Sequence, residues 1–273
     1  MVRFPGVVPR RGGAPLESRS GAGVHPVTTA DGTPAYLKIT PASLGAGALA
    51  AARRELRFYR ETAAGALVRT PALLDHVDTD DGVALLLAEA GRTIDVRDWT
   101  PIMWAALGRD LAALHGMPVP SGPGRHAPDA LGAAPDVAMI EAFWGADIRL
   151  GDVVRRWDRS RGALPPVLIH GDCHTENITI AGGELTFCDW QAAGAGRATS
   201  DLALLSVRAT PAGVTVPPGF LDAYLRERPG DLREALVTEE LAILVFLWPM
   251  YAAFNTPEGN ARIRARAREL MIR

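Results

Sequence analysis

The chain has 273 residues, of which 48% are hydrophobic and 22% charged, and its formal net charge is −2 at pH 7. This length suffices for one large domain or two moderate domains with a proper core, and the nearly balanced charge provides no basic field for nucleic acid. With two cysteines and no apolar run near Met1, the sequence predicts a reduced cytoplasmic protein without a secretory signal or disulfide framework.

One basic residue differs from all the others. Of the 29 basic residues, 28 are arginine and only Lys38 is lysine. Lysine is a compact point charge on a thin stem, whereas arginine is a planar fork. Lys38 lies in the strand-like run 35–39, after the turn at Asp31-Gly32. The retention of one ammonium in a chain that otherwise uses arginine indicates a specific task for it.

The first 30 residues contain a glycine turn. Residues 1–15 are rich in Pro, Gly and Arg and predict at most a short strand, whereas residues 16–29 place a Ser/Gly turn between two extended runs. Ser20, Gly21 and Gly23 allow the backbone to fold tightly enough to offer amide N–H groups to phosphates. An ordinary hairpin turn is the alternative interpretation of this pattern.

A helix and a hairpin follow, and then the strand content ends. Apolar residues at helical spacing predict a helix over 46–64, which carries Glu55. Residues 73–77 and 83–88 predict two strands around an Asp-Asp-Gly turn. The pattern breaks at Glu89-Ala90-Gly91, so we place the domain boundary here, with an N-terminal domain over 1–89 and a C-terminal domain over 90–273.

The next 70 residues are predicted to be helices joined by a loop. Thr100-Pro101 is an N-cap followed by proline at the first helical position, and Gly116 ends this helix. Residues 118–135 form a loop rich in Pro, Gly and Ala, and residues 136–161 form a helical stretch that carries Glu141, Asp147 and Asp152.

The stretch 167–190 carries the chemistry. An apolar strand over 167–169 precedes the polar loop His-Gly-Asp-Cys-His-Thr-Glu, and two strands over 177–180 and 185–188 are joined by a glycine turn. We therefore expect Asp172, Asn177 and Asp189 to surround one small volume. Carboxylate and amide oxygens suit Mg²⁺, which binds through one or two carboxylates together with substrate phosphates.

The remainder of the chain is predicted to be helical. A helix should begin near Ser200-Asp201. The longest apolar run, 241–254, contains Pro249 and is shorter than the roughly 20 residues that span a bilayer. It therefore predicts a buried helix with a proline break and no membrane contact.

The motif HGDxHxxN, with Asp189-Trp190 where kinases carry Asp-Phe-Gly, resembles the aminoglycoside phosphotransferase family. The resemblance implies an α+β, two-lobed protein-kinase-like fold, with a small N-terminal antiparallel sheet lobe that contains one helix and a larger, mostly α-helical C-terminal lobe. It also implies that Asp172 is the catalytic base and that Asn177 and Asp189 are the metal ligands. Asp201 matches a family position just after the metal motif, which implies that it braces a loop.

The resemblance further implies a nucleotide site. Glu55 would hold Lys38 against the α and β phosphates of ATP, with GTP as the alternative nucleotide. Ala88, through its carbonyl, and Ala90, through its amide, would contact the adenine base. The implied cofactors are thus ATP and Mg²⁺.

The resemblance implies transfer of the γ-phosphoryl group to a hydroxyl of a small molecule, in a monomer or homodimer. We expect a cationic antibiotic, an aminoglycoside or a basic cyclic peptide, and hence resistance. Glu141, Asp147, Asp152 and Glu176 are the candidate acidic contacts, although such charges also occur on ordinary solvated faces. The alternative is a metabolite kinase acting on choline, a sugar or an amino acid.

Two other classes of protein are disfavoured. A metal hydrolase would use His170, Asp172, Cys173 and His174 as ligands of zinc, but adjacent ligands on one loop make poor tetrahedral geometry. A catalytically inactive nucleotide sensor is disfavoured because every catalytic position has the residue type that the chemistry needs.

Overall fold

A computed structural model describes residues 4–10, 16–17, 21–119, 121–122, 124–132, 136–162 and 164–272. The chain divides into two compact units, the first made of Met1–Arg92 and Thr179–Ala193 and the second of Thr93–Ile178 and Gly194–Arg273. The sequence predicted a single boundary between 89 and 90, and the predicted N-terminal domain therefore does not include the second segment of the first unit, Thr179–Ala193. That segment joins it through backbone hydrogen bonds from Ile180 to Arg92 (2.8 Å) and from Phe187 to Arg69 (2.9 Å).

The first unit is built on a six-stranded antiparallel sheet. Its strands are β1 (Val8–Pro9), β2 (Leu16–Glu17), β3 (Gly23–Thr28), β4 (Pro34–Pro41), β5 (Leu73–Thr79) and β6 (Gly82–Ala88). The spatial order is β1-β3-β4-β6-β5, and β2 pairs with β3. The strand β6 is almost continuously apolar and buried, as expected for a central strand.

One helix and one further hairpin complete this unit. The helix α1 (Ala46–Glu61) buries Ala52, Leu56 and Tyr59, because these residues recur at helical spacing. The hairpin consists of β8 (Ile178–Ala181) and β9 (Glu184–Phe187). Its turn contains Gly182 and Gly183, with φ values of +59° and +84° that other residues rarely adopt.

The second unit is mostly helical. Its helices are α2 (Pro101–His115), α3 (Val137–Trp144), α4 (Leu150–Ser160), α5 (Ala198–Ala209), α6 (Pro218–Glu227), α7 (Arg233–Ala242), α8 (Trp248–Tyr251) and α9 (Pro257–Ile272). The short strands β7 (Val167–Ile169) and β10 (Gly194–Gly196) pair antiparallel. The predicted α+β organisation, with an antiparallel sheet first and a mostly helical remainder, is confirmed.

Local signals explain several helix limits. The Thr100 hydroxyl accepts a hydrogen bond from the Met103 amide at 3.3 Å, so α2 begins where its N-cap predicts. A Cβ on Gly108 of α2 would lie 2.3 Å from the Phe220 carbonyl oxygen, so glycine allows α2 and α6 to approach closely. The helical stretch predicted over 136–161 is instead two helices, since Gly145 has φ +53° and interrupts it.

The apolar run near the C-terminus belongs to a longer helical segment. Between α7 and α8 lies a π-helix, Ile243–Leu247. The segment Arg233–Phe254 is long and apolar enough to cross a membrane, but 61% of its most apolar window is buried within the protein. A helix whose apolar residues are mostly buried within the protein is typical of a core helix. The Trp144 indole N–H donates to the Val245 carbonyl at 3.2 Å.

Candidate active site

In the first unit, the Lys38 ammonium lies between two carboxylates. It occupies the middle of β4, opposite Val24 of β3 and Leu85 of β6, and is 6% exposed. Its Nζ lies 2.7 Å from Oε2 of Glu55 on α1 and 2.8 Å from Oδ1 of Asp189. The only lysine of the chain therefore joins the sheet, the helix and the end of the β8–β9 hairpin.

The two carboxylates fix the charge of this ammonium. Burial by itself would lower the pKa of Lys38, but the charges of Glu55 and then Asp189, together with their hydrogen bonds, outweigh it and raise the pKa above its ordinary value. Lys38 is thus protonated at physiological pH. A backbone amide of Trp190 also stabilises the buried Glu55 carboxylate and thereby opposes the rise of its pKa on burial.

Asp189 has an unusual backbone conformation. Its φ of +64° and ψ of +63° are left-handed, and among the described residues it is the only non-glycine residue with a positive φ. Such a conformation costs on the order of 1 kcal/mol or more and concentrates at functional sites. Its side chain is 36% exposed, so part of the carboxylate remains accessible beside Lys38.

An aromatic stack holds the turn that contains Asp189. The Trp190 ring lies parallel to the Phe58 ring of α1, with centroids 3.7 Å apart, and its indole N–H donates to the Phe187 carbonyl at 3.0 Å. On the same helix, Arg54 Nη1 donates to the Gln191 carbonyl at 2.8 Å. The helix that carries Glu55 therefore also contacts both residues that follow Asp189.

The other predicted nucleotide contacts also lie in this unit. Gly21 has φ +77°, and Gly23 begins β3, opposite Ile39; Ser20 lies outside the described residues. Ala88 ends β6, and its amide donates to the Ala72 carbonyl at 2.9 Å. The Ala90 carbonyl accepts a hydrogen bond from the Thr179 hydroxyl at 2.7 Å. Contacts of these residues with a nucleotide remain predictions.

In the second unit, the loop after β7 brings Asp172 and Asn177 together. The Asn177 side-chain amide donates to the Asp172 carbonyl oxygen at 2.9 Å and to its carboxylate at 3.1 Å. His174 Nε2 lies 3.7 Å from the same carboxylate. The Asp172 side chain is 50% exposed, so it is anchored on one side and accessible on the other.

These neighbours keep Asp172 ionised. Partial burial would raise the pKa of its carboxyl, but the hydrogen bond and charge of His174, followed by the charges of His170 and Arg208, lower the pKa to about 2. At neutral pH the group is a carboxylate that can accept a hydrogen bond from a hydroxyl.

A buried carboxylate on α5 braces the backbone before Asp172, as expected for Asp201. Asp201 is fully buried and accepts hydrogen bonds from the amides of His170 (2.7 Å) and Gly171 (2.8 Å). It also bonds to His115 Nε2 at 3.2 Å, and His115 Nδ1 bonds to the Tyr224 hydroxyl at 2.9 Å. Sequence analysis predicted the brace but missed Tyr224, because no pattern in α6 signals a partner so distant in sequence.

Three of the four proposed acidic substrate contacts pair with arginine. Glu176 lies 2.6 Å from Arg208 and Asp147 lies 2.8 Å from Arg268. Asp152 pairs with Arg155 one helical turn away, whereas Glu141 is exposed on α3. Because arginine neutralises three of these four carboxylates, the four residues together do not form a strongly acidic surface.

The residues considered for zinc have other partners. Cys173 is fully buried, and burial raises the pKa of its thiol well above its ordinary value. Asp172 contacts Asn177 and His174. Within the described ranges, no group of three or more His, Cys, Asp or Glu side chains is arranged to hold a metal ion.

Comparison with known proteins relates this geometry to a family. A model of the phosphotransferase enzyme family matches residues 19–236. An amicoumacin kinase solved with AMP-PNP and Ca²⁺ is 16% identical, with a TM-score of 0.64 over 94% of this chain and 88% of that one. No curated protein matches the sequence.

Two further solved structures are similar. A macrolide 2′-phosphotransferase from Brachybacterium faecium is 18% identical, with a TM-score of 0.60 over 93% of this chain and 91% of that one. An ethanolamine kinase from Plasmodium vivax is 14% identical, with a TM-score of 0.62 over 93% and 81%. At these identities the likeness shows a shared kinase-like fold.

Proposed function

The chain belongs to the phosphotransferase enzyme family, and from this premise we propose that it transfers the γ-phosphoryl group of MgATP to a hydroxyl of a small molecule in the cytoplasm. Its class is that of the small-molecule phosphotransferases. The observation that carries the nucleotide part of the proposal is the contact of the lone Lys38 with both Glu55 and Asp189. A purely structural site does not need a buried ammonium held by two carboxylates, because apolar side chains of similar volume would stabilise the fold at least as well.

In this proposal Lys38 neutralises phosphate charge. A lysine ammonium has three donors, and two of its contacts are to carboxylates, so one donor remains for a phosphate oxygen. Because Glu55 and Asp189 orient the ammonium beforehand, little reorganisation is needed when a nucleotide binds. The amides of Ser20, Gly21 and Gly23 are proposed to contact the phosphates, and the Ala88 carbonyl and Ala90 amide the base of ATP or GTP.

Asn177 and Asp189 are proposed as the magnesium ligands. Asp189 gives one carboxylate oxygen to Lys38 and retains the other, and Asn177 donates its amide N–H to Asp172, which leaves its carbonyl oxygen as the ligand atom. Each residue thus offers a hard oxygen, and Mg²⁺ commonly takes one or two protein oxygens and completes its coordination with phosphates and water. When bound, the ion would neutralise charge on the transferred phosphoryl group.

Asp172 is proposed to orient the acceptor hydroxyl and to take its proton late. A carboxylate with a pKa of about 2 is a weak base at neutral pH compared with the ideal general base near pH 7. Phosphoryl transfer is largely dissociative, so the hydroxyl need not lose its proton before the bond to the leaving group weakens. Orientation by an ionised carboxylate is therefore the main contribution that we expect from Asp172.

For the acceptor we propose a cationic antibiotic, so that the reaction would give resistance. The similar structures include kinases named for amicoumacin and for macrolides. A metabolite kinase is the second candidate, since an ethanolamine kinase is equally similar in fold. Of the acidic substrate contacts that the sequence suggested, we propose Glu141 first, because Asp147, Asp152 and Glu176 have arginine partners.

The test is Asp172→Asn in the full-length protein, assayed with MgATP against a panel of antibiotics and small alcohols. We expect kcat to fall by about 10²–10⁴, the usual contribution of a positioned proton acceptor, while the Kd for MgATP stays unchanged. Asp222→Asn serves as the matched control, because Asp222 lies in the same unit on α6 with its side chain 54% exposed. Equal turnover of the two variants would remove Asp172 from this role.

A further inference from the structure

The segment that follows β6 is held at both of its ends. Residues 89–92, which we call the linker, begin with the Glu89 amide, which donates to the Pro34 carbonyl at 3.0 Å. At the other end, the Arg92 amide donates to the Ile180 carbonyl at 3.2 Å, and the Ile180 amide donates to the Arg92 carbonyl at 2.8 Å. This reciprocal pair forms an isolated antiparallel bridge between the linker and β8. The backbone of the linker is therefore fixed at its first and last residues.

A side chain fixes the middle of the linker. The Thr179 hydroxyl of β8 donates to the Ala90 carbonyl at 2.7 Å. The Thr186 carbonyl, at 3.5 Å, is too distant to compete for the hydroxyl proton. Valine and isoleucine, which have the same branched shape and are common in strands, have no donor for such a contact. Thr179 thus holds a linker carbonyl that lies between the two backbone anchors.

Gly91 allows the linker to lie this close to β8. Its φ is +107°, and a Cβ on it would lie 2.6 Å from the Ile180 carbonyl oxygen and 2.8 Å from the carbonyl carbon. Cβ atoms do not approach backbone atoms this closely, so a larger residue would displace the linker. We call the contacts of Ala90, Gly91 and Arg92 with Thr179 and Ile180 the linker clasp.

The linker clasp leaves the Ala90 amide free. Among the residues that the structure describes, no acceptor pairs with this N–H, and Ala90 is half-buried. Backbone N–H groups away from the surface almost always have a partner, so one without a protein partner is available to a ligand or to water. Because the Glu89 amide and the Ala90 carbonyl are both bonded, the direction of this N–H is set before any ligand binds.

The Thr179 hydroxyl is also close to the segment that carries Asp189. Its Oγ1 lies 3.8 Å from Sγ of Cys188, the residue before Asp189. Asp189 in turn contacts the Lys38 ammonium. The linker clasp therefore lies in the same part of the first unit as the proposed phosphate contact and metal ligand.

A second side chain that contacts the linker holds it less firmly. The Glu89 carboxylate pairs with the Arg10 guanidinium through contacts of 3.0 and 3.4 Å, and about a third of each side chain is exposed. Partly exposed ion pairs contribute little to stability and are screened by salt. The hydrogen bond of a half-buried hydroxyl is not screened in this way. We therefore assign the main side-chain hold on the linker to Thr179.

We propose that Thr179 is a positioning residue for the nucleotide base. Through the linker clasp it fixes the linker so that the Ala90 amide is presented to the base of ATP or GTP. This inference rests on the proposed phosphotransferase function and deepens its nucleotide site. A linker that is already fixed loses little conformational entropy when the base binds. Without the hydroxyl, the nucleotide has to order the linker as it binds, which weakens binding.

The test is isothermal titration calorimetry of the full-length protein with two probes in the presence of Mg²⁺. ATP has a base, whereas inorganic tripolyphosphate has only the phosphates; GTP replaces ATP if the wild type binds GTP more tightly. Thr179→Val should raise the Kd of the nucleotide about tenfold, a change of about 1.4 kcal/mol, because one hydrogen bond is lost. The Kd of tripolyphosphate should stay unchanged, because the proposed contacts of the phosphates do not include the linker clasp.

Two further variants distinguish positioning from a merely structural effect. Thr179→Ser keeps the hydroxyl and should keep the wild-type Kd of the nucleotide. Thr79→Val is the matched control, because the Thr79 hydroxyl also donates to a backbone carbonyl, that of Gly82 at 3.4 Å, but at the opposite end of β6 from the linker. It should leave both Kd values unchanged. In Thr179→Val, KM for the nucleotide should rise while kcat stays unchanged.

A pair of glycine variants tests the linker clasp without a change at Thr179. Gly91→Ala should displace the linker from β8 and raise the Kd of the nucleotide at least about tenfold, again with no change for tripolyphosphate. Gly32→Ala is its control, because Gly32 has φ +85° and, among the described residues beyond its chain neighbours, no atom lies within 4 Å of a Cβ there. It has the cost of a left-handed backbone without the clash, so its Kd values should equal those of the wild type.

The proposal is overturned if Thr179→Val binds the nucleotide as the wild type does, if Thr179→Ser loses as much affinity as Thr179→Val, or if the Kd of tripolyphosphate rises as much as that of the nucleotide. A wild type that binds neither ATP nor GTP would overturn it together with the proposed function. If the wild type phosphorylates an acceptor and Thr179→Val has the same KM for the nucleotide, the proposed function stands and the role of Thr179 fails.

Discussion

The carboxylate of Glu55 shows what a single residue demands of its neighbours. Its side chain is completely buried, and Lys38 Nζ at 2.7 Å is the cation beside it. Asp189, the other partner of Lys38, is 36% exposed and therefore partly hydrated. The removal of Lys38 would thus affect the two acids differently, because water can replace the ammonium at Asp189 but not at Glu55.

We therefore expect Lys38→Met to lower the free energy of unfolding by about 3–5 kcal/mol, the usual effect of leaving one member of a buried ion pair without its partner. The double variant Lys38→Met/Glu55→Leu removes both charges and should recover most of that loss. Urea unfolding followed by circular dichroism measures both variants. A double variant as unstable as the single one would show that Glu55 is not the source of the loss.

How much of this site could be predicted from sequence depends on the range of each interaction. Lys38 was recognisable because it is the only lysine. Periodicity predicted the helix that carries Glu55, but the role of Glu55 came from the family resemblance. The left-handed backbone of Asp189 and the stack of Trp190 on Phe58 had no local signal. Both depend on tertiary packing between segments that are distant in sequence.

At the scale of elements, Pro249 explains a contact between two helices. Proline has no amide N–H, so it cannot donate to the carbonyl of the residue four positions before it, which is Val245. The Trp144 indole of α3 donates to that carbonyl at 3.2 Å. The sequence predicted a break at Pro249, but the segment stays helical through it, as a π-helix followed by α8. The carbonyl that proline leaves without its usual donor connects α3 to the π-helix.

This arrangement predicts a coupling between two substitutions. Trp144→Phe should lower the free energy of unfolding by about 1–3 kcal/mol beyond the loss of packing, because the buried Val245 carbonyl loses its donor. In a Pro249→Ala background the loss should be smaller, since the new backbone amide can donate to Val245. A double-mutant cycle from urea unfolding measures the difference, and additive effects would contradict the shared carbonyl.

Most elements followed from periodicity and capping, and the exceptions have physical reasons. The helix α2 begins at Pro101 and ends at His115, as Thr100-Pro101 and Gly116 predicted. The stretch 136–161 is divided because Gly145 adopts a positive φ, which a glycine permits but does not require. The π-helix had no signal, since its residues are as apolar as those of any buried α-helix.

At the scale of the whole molecule, each unit contains a tyrosine and a cysteine whose pKa values are raised by full or partial burial. In the first unit, burial raises the pKa of Cys188 to about 11 and that of Tyr59 well above its ordinary value. In the second unit, burial raises the pKa of Tyr224 to about 12 and that of Cys173 well above its ordinary value. In all four groups the folded state retains the proton more firmly than the unfolded chain does.

The sign of the resulting pH dependence follows from linkage. The stability that these groups contribute is fully present below their unfolded pKa values, near 9 for cysteine and 10 for tyrosine, and is lost as the pH rises through about 11 and 12. Each group that is protonated only in the folded state lowers the free energy of unfolding by about 1.4 kcal/mol per pH unit.

We therefore expect the urea midpoint, measured with a reductant present, to be level up to about pH 9 and to fall steeply above it. Tyr224→Phe should reduce the slope above pH 10, whereas the control Tyr251→Phe, at a residue that is 42% exposed, should not. A midpoint that stays level to pH 11 would contradict the burial of these protons, because the unfolded chain would then gain nothing from releasing them.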